Sequence, residues 1–441
     1  MIGDWPIEVG QTAAARRRGY HPGMPAIRAL FLLVGAIIGI VYPFIPAILA
    51  GRGFDPAGVG LVTAISAVAF TLAVAVWGHL GDVVLGRVAA LRIGVAGSAV
   101  AILVLLLDVP PPIVGLLVVI FIGFESSFAP LSDALAVNAL AGSPAAYPRI
   151  RLLASLGFAI ASIAAGRLYD EVGFAPASVL WAAAAVAIGV TLRWVPDIGR
   201  FEEAGVPVVG GPAGAAARLS SPLGQPGVVR PGSPLRRLAG GGSFGIVVRS
   251  QPRLPSVLLG IGLVQVGVVS GFTFLSLRLI DLGGGPTEIA LAAGVSAIAE
   301  IPTIWLIPRV IGRVGLRALL VGGILLYGLV MLTWAGLADP ALIVGTRVVS
   351  GVAFAGISVG AVMTIAALLP PELQATGQGL NQTVSFGLAA IVANAVGGVV
   401  YGWGGALPLF LGCAALAGVG AVVTWRAVPA RASAGPLRSR P

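Results

Sequence analysis

The sequence predicts an all-α integral membrane protein in which twelve transmembrane helices form two six-helix bundles related as parallel repeats. Composition is the first observation, because 57% of the 441 residues are hydrophobic and only 10% are charged, whereas soluble domains average about 25% charged residues. The second is a succession of apolar segments that are each long enough to cross a bilayer. The third is an uneven distribution of arginine, which predicts the orientation of these segments.

Twelve segments have the length of a membrane span, since about 20 apolar residues cross a hydrocarbon core of about 30 Å. The first follows Arg16, Arg17 and Arg18 and is longer than the apolar core of a cleaved signal peptide, so we interpret it as a span. The predicted spans are residues 26–50, 57–78, 88–107, 113–137, 150–169, 176–195, 254–280, 287–308, 317–336, 341–369, 377–401 and 406–426.

The 27 basic residues are all arginines, and they favour alternate loops. With the amino terminus inside, only Arg52, Arg167 and Arg278 fall in or beside outer loops. Basic residues in short loops stay preferentially on the cytoplasmic side. The net charge of +10 therefore reflects topology and argues against a nucleic-acid partner. We expect a multi-pass protein of the cell (inner) membrane with both termini cytoplasmic.

The spans divide into two groups separated by residues 196–253, which are rich in Gly, Pro, Ser and Ala. Such a composition buries too little apolar area to fold alone, so this segment is interpreted as a cytoplasmic linker. The expected organisation is an amino-terminal tail, a first bundle, the linker, a second bundle and a carboxyl-terminal tail, at residues 1–25, 26–195, 196–253, 254–426 and 427–441.

The two groups also look like copies of one another. "SLGFAIASIAAGRLYDEVGF", which begins at Ser155, and "SFGLAAIVANAVGGVVYGWGG", which begins at Ser385, share their order of Ser, Gly and Tyr residues. The two serines lie 230 positions apart, as do the loops that start at Gly78 and Pro308. A constant offset predicts parallel repeats with a substrate site near the membrane midplane between them.

"WGHLGDVVLGR", residues 77–87, resembles the signature loop of the major facilitator superfamily. The positions that carry the resemblance are Gly78, Leu80, Asp82, Gly86 and Arg87, and in the second copy, "PRVIGRVGLR", they are Arg313, Gly315 and Arg317. The resemblance implies the major facilitator fold, with two bundles that rock about a central site.

Asp82 of this loop has two interpretations. Its carboxylate can accept hydrogen bonds from the amino terminus of span eleven and so latch the cytoplasmic side. Alternatively, it neutralises Arg87 within a tight turn.

"APLSDALAVNALAGSPAAYPRIRLLASLGFAIAS", residues 129–162, resembles the lactose permease branch, in which an acid, an arginine and an aromatic ring contact the sugar. The resemblance assigns these roles to Asp133, Arg151 and Phe158, although the permease ring is a tryptophan. An arginine pair followed by Ser-x-Gly-Phe also resembles the nucleoside-proton symporter and phenylpropionate permease branch. So does "AEIPTIWLIPRVIGRVG" with Glu300, and we rank these relatives above the sugar permeases.

The residues themselves support a solute site on span five. Steps of four, three and four residues place Arg151, Ser155, Phe158 and Ser162 on one stripe, and a polar stripe within lipid faces protein or water. Asp133 lies at a matching depth on span four and is expected to pair with Arg151. Arg149 is interpreted as a snorkelling anchor.

Several other polar residues lie within the spans. Gln265 and Asn381 are candidates for binding solute from the second half, and hydrogen bonding between helices is the alternative for each. Glu125 and Glu300 are candidate proton carriers because burial disfavours the charged form of a carboxyl group, and a structural hydrogen bond is again the alternative.

Arg347 enters span ten near its outer edge. We expect it to serve a structural or outer-gate role. Glu288 lies at a similar depth on span eight and could neutralise it, whereas Glu300 lies roughly 18 Å further in along that span.

Enzyme chemistry has no support in the sequence. The single cysteine excludes an internal disulfide. We find no nucleotide-binding loop, metal cluster or catalytic triad, so we expect no cofactor and no metal. The sequence predicts a secondary active transporter that moves a small organic solute, with proton-coupled symport preferred. By resemblance it works as a monomer.

Two alternatives remain. The first is a proton-coupled drug or metabolite efflux antiporter of the same fold, although span five lacks the proline of the Gly-Pro-Gly-Gly exporter signature. The second is a non-transporting membrane sensor, which would be expected to carry a folded soluble domain.

Overall fold

The computed structural model describes residues 23–140, 147–196 and 251–429, and the regular structure within them is entirely helical. Ten helices in these ranges are long and apolar enough to cross a membrane. The all-α prediction is therefore confirmed. The predicted tails and the linker lie outside the described residues, except at their edges.

The first half of the chain forms six helices, and their ends agree with the predicted spans to within a few residues. They are α1 (Met24–Gly51), α2 (Pro56–Val84), α3 (Arg87–Val104), α4 (Pro111–Ala139), α5 (Tyr147–Val172) and α6 (Pro176–Thr191). Proline occupies the first turn of several of these helices, where no backbone N–H is needed. Within α1 a 3₁₀ turn, Tyr42–Phe44, interrupts the helix at Pro43.

The second half repeats this arrangement. Helix α7 is Leu254–Asp281, and the helical stretch Pro286–Gly336 is broken at Gly315, which separates α8 (residues 286–314) from α9 (residues 316–336). Helix α10 is Pro340–Leu368 and α12 is Ala406–Ala427. Helix α11 consists of Pro371–Gln382, a π turn at Thr383–Leu388, and Ala389–Gly404.

The turns between helices repeat as well. Among the described residues, positive φ angles occur at six glycines, and these fall into three pairs of equivalent turns. The pairs are Gly53 and Gly283 (85° and 82°), Gly86 and Gly315 (85° and 78°), and Gly173 and Gly405 (72° and 71°). Their spacings of 230, 229 and 232 positions match the offset found in the sequence.

Gly315→Ala is expected to destabilise the protein by about 1–3 kcal/mol, because its φ of 78° and ψ of 163° lie in a region open essentially to glycine alone. An added methyl group would meet no atom within 4 Å at this position, so the cost is purely conformational. Thermal unfolding of the purified protein measures it. Gly312→Ala is the matched control, since Gly312 is helical and equally uncrowded, and it should not lower stability. Equal losses in both variants would contradict the assignment.

The two halves meet through α2 against α11 and through α5 against α8. At the end of the bundle opposite residues 77–87, called here the far end, the first pair approaches closely. A Cβ placed on Gly60 would lie 2.7 Å from the Cα of Gly398. In the second pair the backbone N–H of Thr287 donates to the Asp170 carboxylate at 3.2 Å. Contacts across both interfaces therefore close the far end.

Candidate functional site

A small cavity of about 60 Å³ lies between the two halves. The first half contributes Tyr42 and Pro43 from the 3₁₀ turn of α1, and Phe158 from α5. The second half contributes residues of α7, α8 and α10, with Phe272 and Arg347 among them. The cavity is shared by both halves, and it contains Phe158 from the predicted stripe.

Arg347 is the charged residue of this cavity wall, and its side chain is held firmly. Only 3% of the residue is exposed, and its Nε donates to the carbonyl oxygen of Ala292 on α8 at 2.9 Å. The guanidinium lies 5.3 Å from the ring centre of Trp334 and 5.8 Å from that of Phe272. Its NH1 group has no hydrogen-bond acceptor among the described residues.

The predicted neutralisation of Arg347 by Glu288 is wrong. The Glu288 carboxylate accepts a hydrogen bond from the backbone N–H of Gly285 at 2.7 Å, which caps the amino terminus of α8. The carboxylate of Glu288, whose depth along the helix suggested it as a partner for Arg347, therefore binds its own helix end instead. Glu300 is instead the acid that interacts electrostatically with Arg347, and the Tyr327 hydroxyl is also within range.

Glu125 is buried on the opposite side of the cavity. It is 6% exposed, and its Oε2 has no hydrogen-bond partner among the described residues. Tyr42, which lines the cavity, lies within electrostatic range of Glu125. Of the two candidate proton carriers, Glu125 thus interacts with a lining residue from the first half and Glu300 with one from the second.

The predicted pairing of Asp133 with Arg151 is confirmed. The Arg151 NH1 group donates to both carboxylate oxygens of Asp133 at 3.1 Å. The side chains are 57% and 32% exposed for Arg151 and Asp133 respectively, so this pair is far more exposed than Arg347. Phe158 is two turns further along α5, which places the pair about 10 Å from the cavity level.

The remaining predicted solute residues do not line the cavity. Ser155 is half-buried, and Gln265 is buried with no partner for its Oε1 atom within the described part of the chain. Asn381 is buried and accepts a hydrogen bond from Ser385 at 3.5 Å. Ser162 continues the stripe and donates to Ala290 of α8 at 3.5 Å. The stripe therefore does reach the interface between the halves.

In the loop of residues 77–87 the structure contains the contact between Asp82 and Arg87, which is the second of the two interpretations of Asp82. Asp82 accepts a hydrogen bond from the Arg87 Nε at 2.7 Å, and Gly86 takes a positive φ before α3 begins. In the second copy Arg317 donates to the carbonyl oxygen of Val428 at 2.5 Å, whereas Arg313 is exposed. The latch of Asp82 on α11 stays a prediction for another conformation.

Sequence reasoning missed Arg347 and Tyr42 as cavity residues. A usable signal existed for Arg347, because an arginine within an apolar span marks a functional candidate. Tyr42 carried no such signal, since its position depends on the turn at Pro43. The described residues contain no group of three or more His, Cys, Asp or Glu side chains arranged to hold a metal ion.

Comparison with known proteins places the chain in a family. The sequence profile of the MFS_1 like family matches residues 26–412. The maltose permease of Geobacillus stearothermophilus is 26% identical over 395 residues, which cover 88% of this chain and 91% of the permease.

Solved structures share the fold. A crystal structure of a mutant nucleoside transporter NupG superposes with a TM-score of 0.75 at 18% identity, over 91% of this chain and 99% of that one. A bacterial homologue of the human lysosomal transporter Spinster superposes with a TM-score of 0.63 at 13% identity, over 93% of this chain and 97% of that one. With a profile match across most of its length and this fold, the chain belongs to the MFS_1 like family of major facilitator transporters.

Proposed function

We propose that this transporter moves a small organic solute across the cell (inner) membrane by proton-coupled symport. The observation that carries the proposal is a cavity between two repeated halves with an acid on each side, the buried Glu125 in the first half and the half-buried Glu300 in the second. A carboxyl group away from water favours its protonated form, which suits it to carry a proton with the solute.

The proposed topology has twelve spans with both termini cytoplasmic. Ten helices qualify by length and hydropathy, the break at Gly315 divides one of them into two, and the shorter apolar helix α6 supplies the twelfth. The excess of arginine at the end that carries residues 77–87 supports placing this end in the cytoplasm. The proposed domains are the bundles of residues 26–195 and 254–426.

Alternating access follows from this arrangement. The far end is closed by contacts between the halves, so rocking the bundles must break them before solute can enter from outside. In the proposed cycle, protonation of one acid favours solute binding. Release of the proton and the solute to the cytoplasm then permits the empty carrier to return.

The proposed solute contacts are Asp133, Arg151, Ser155 and Phe158 from the first half, with Gln265 and Asn381 from the second. The names of the relatives, a maltose permease and a nucleoside transporter, support a polar organic solute. We propose that the chain acts as a monomer.

Transport by purified protein in liposomes under an imposed pH gradient tests the proposal. We expect an inward proton gradient to drive uptake of at least one member of a panel of nucleosides, aromatic acids and sugars. Protein-free liposomes provide the baseline. Expulsion of multidrug dyes with no uptake of any panel member would instead support the efflux antiporter.

Arg151→Ala is expected to weaken affinity for a transported solute by roughly 10- to 100-fold, since a hydrogen bond to a charged group contributes about 1.5–3 kcal/mol. The Michaelis constant for uptake measures the change. Arg149→Ala is the matched control, because Arg149 is exposed on the same helix end and is proposed to be an anchor. Unchanged affinity in Arg151→Ala would show that this arginine is a membrane anchor, as proposed for Arg149.

A further inference from the structure

Arg347 has hydrogen-bonding capacity that the protein leaves unused. A guanidinium carries five N–H donors, and in this residue the Nε donates to Ala292 while NH1 has no acceptor among the described residues. A buried charge is stable only when it is paired and hydrogen-bonded. The unpartnered NH1 donor of an arginine in the wall of a transport cavity therefore points to an acceptor that arrives from outside the protein.

The Tyr327 hydroxyl and the Glu300 carboxylate interact with the guanidinium from within the protein, but NH1 still has no acceptor among the described residues. Trp334 and Phe272 lie near it at cation–π distances, and a ring offers no acceptor for an in-plane N–H. Ser276 also lines the cavity, but its hydroxyl donates to the carbonyl oxygen of Thr273 at 2.8 Å. The other lining residues are apolar apart from Tyr42. Arg347 is thus the one cationic group among the residues that line the cavity.

We propose that Arg347 binds a carboxylate group of the transported solute, so that the carrier selects small organic monocarboxylates. This inference rests on the proposed transport function and adds the chemical class of the solute. A planar guanidinium pairs with a planar carboxylate through two parallel hydrogen bonds. One cation matches one negative charge, which favours a monoanion over a doubly charged phosphate.

The rest of the wall fits the remainder of such a solute. The rings of Tyr42, Phe158 and Phe272 and the side chains of Leu275 and Ile289 present apolar surface, which suits an aliphatic or aromatic body. Glu300 interacts with Arg347 from outside the cavity wall. Its ionised carboxylate and that of the solute therefore compete for the same cation.

Binding of carboxylates and of their uncharged amides to the purified full-length protein tests the inference. The probes are benzoate and hexanoate, with benzamide and hexanamide as counterparts of the same shape, and the readout is the ligand-induced rise in melting temperature over a concentration series. Wild-type protein is expected to bind at least one carboxylate ten times more tightly than its amide. R347Q should remove this preference.

Two further variants complete the experiment. R309Q is the matched control, because Arg309 is exposed and donates to the carbonyl oxygen of Trp305 on its own helix, and it should keep the preference. R347K retains the charge without the bidentate geometry, so it should weaken carboxylate binding several-fold while still favouring carboxylate over amide. This variant also decides the matter if R347Q does not fold.

Equal binding of carboxylate and amide by the wild type, or no carboxylate binding at millimolar concentration, would overturn the anion site, as would a preference that survives in R347Q. Proton-driven uptake of an uncharged nucleoside or sugar by wild type and R347Q alike would overturn it while leaving the transport proposal intact. Carboxylate binding without transport of any solute would instead count against the transport proposal.

Discussion

Gly60→Phe is expected to reduce net uptake at least 100-fold while leaving the protein folded. Helices α2 and α11 touch at this residue, and a Cβ there would lie 2.4 Å from the carbonyl oxygen of Asn394 and 2.7 Å from the Cα of Gly398. These neighbours are backbone atoms, which cannot move aside as a flexible side chain does. An aromatic ring would hold the far end open and stop the alternation between the two access states.

Uptake into liposomes measures the loss, and thiol labelling identifies its cause. A cysteine placed at Leu279, which lines the cavity near the far end, should react faster with a membrane-impermeant reagent from that side in the Gly60→Phe background. Gly412→Phe is the control, because this position on α12 faces open space and should support normal uptake. Wild-type transport by Gly60→Phe would show that the contact does not need to form during the cycle.

Glu125→Gln and Glu300→Gln are expected to separate proton coupling from solute movement. In the variant that removes the true proton carrier, accumulation driven by a pH gradient should fall to the equilibrium level, since the amide can neither bind nor release a proton. Exchange of internal for external solute should persist, because exchange needs no deprotonation step. The ratio of the two rates in the same liposomes measures the effect.

Glu171→Gln serves as the control for these substitutions, since Glu171 is exposed at the end of α5. It should retain both activities. If Glu125→Gln and Glu300→Gln both accumulated solute as the wild type does, neither acid would carry the coupling proton.

Most of the helical layout could be predicted because bilayer thickness dictates it. Residues 26–50 and 254–280 were predicted as spans, and α1 and α7 occupy Met24–Gly51 and Leu254–Asp281. The Asp133–Arg151 pair could also be predicted, since both residues have assigned depths on neighbouring helices. In these cases the position of a residue along its own helix is enough to make the prediction.

The surroundings of Arg347 could not be predicted in this way. Depth along the helix favoured Glu288, but the free N–H groups at the start of α8 compete for its carboxylate, and Gly285 supplies one of them. The interaction with Glu300 depends on how α8 and α10 pack and on the reach of a long side chain. Tyr42 reaches the cavity wall because α1 turns at Pro43. Such arrangements arise from packing between helices, which a single sequence leaves open.

The hydrogen bond from Thr287 to Asp170 also affects the equilibrium populations of the two access states. A hydrogen bond to a charged group contributes about 1.5–3 kcal/mol, which corresponds to a population bias of roughly 10- to 100-fold. A solute that binds one state only modestly more tightly than the other can reverse a bias of this size. Asp170 therefore contributes, together with the contact of Gly60 with Gly398, to a resting occupancy that cargo can shift.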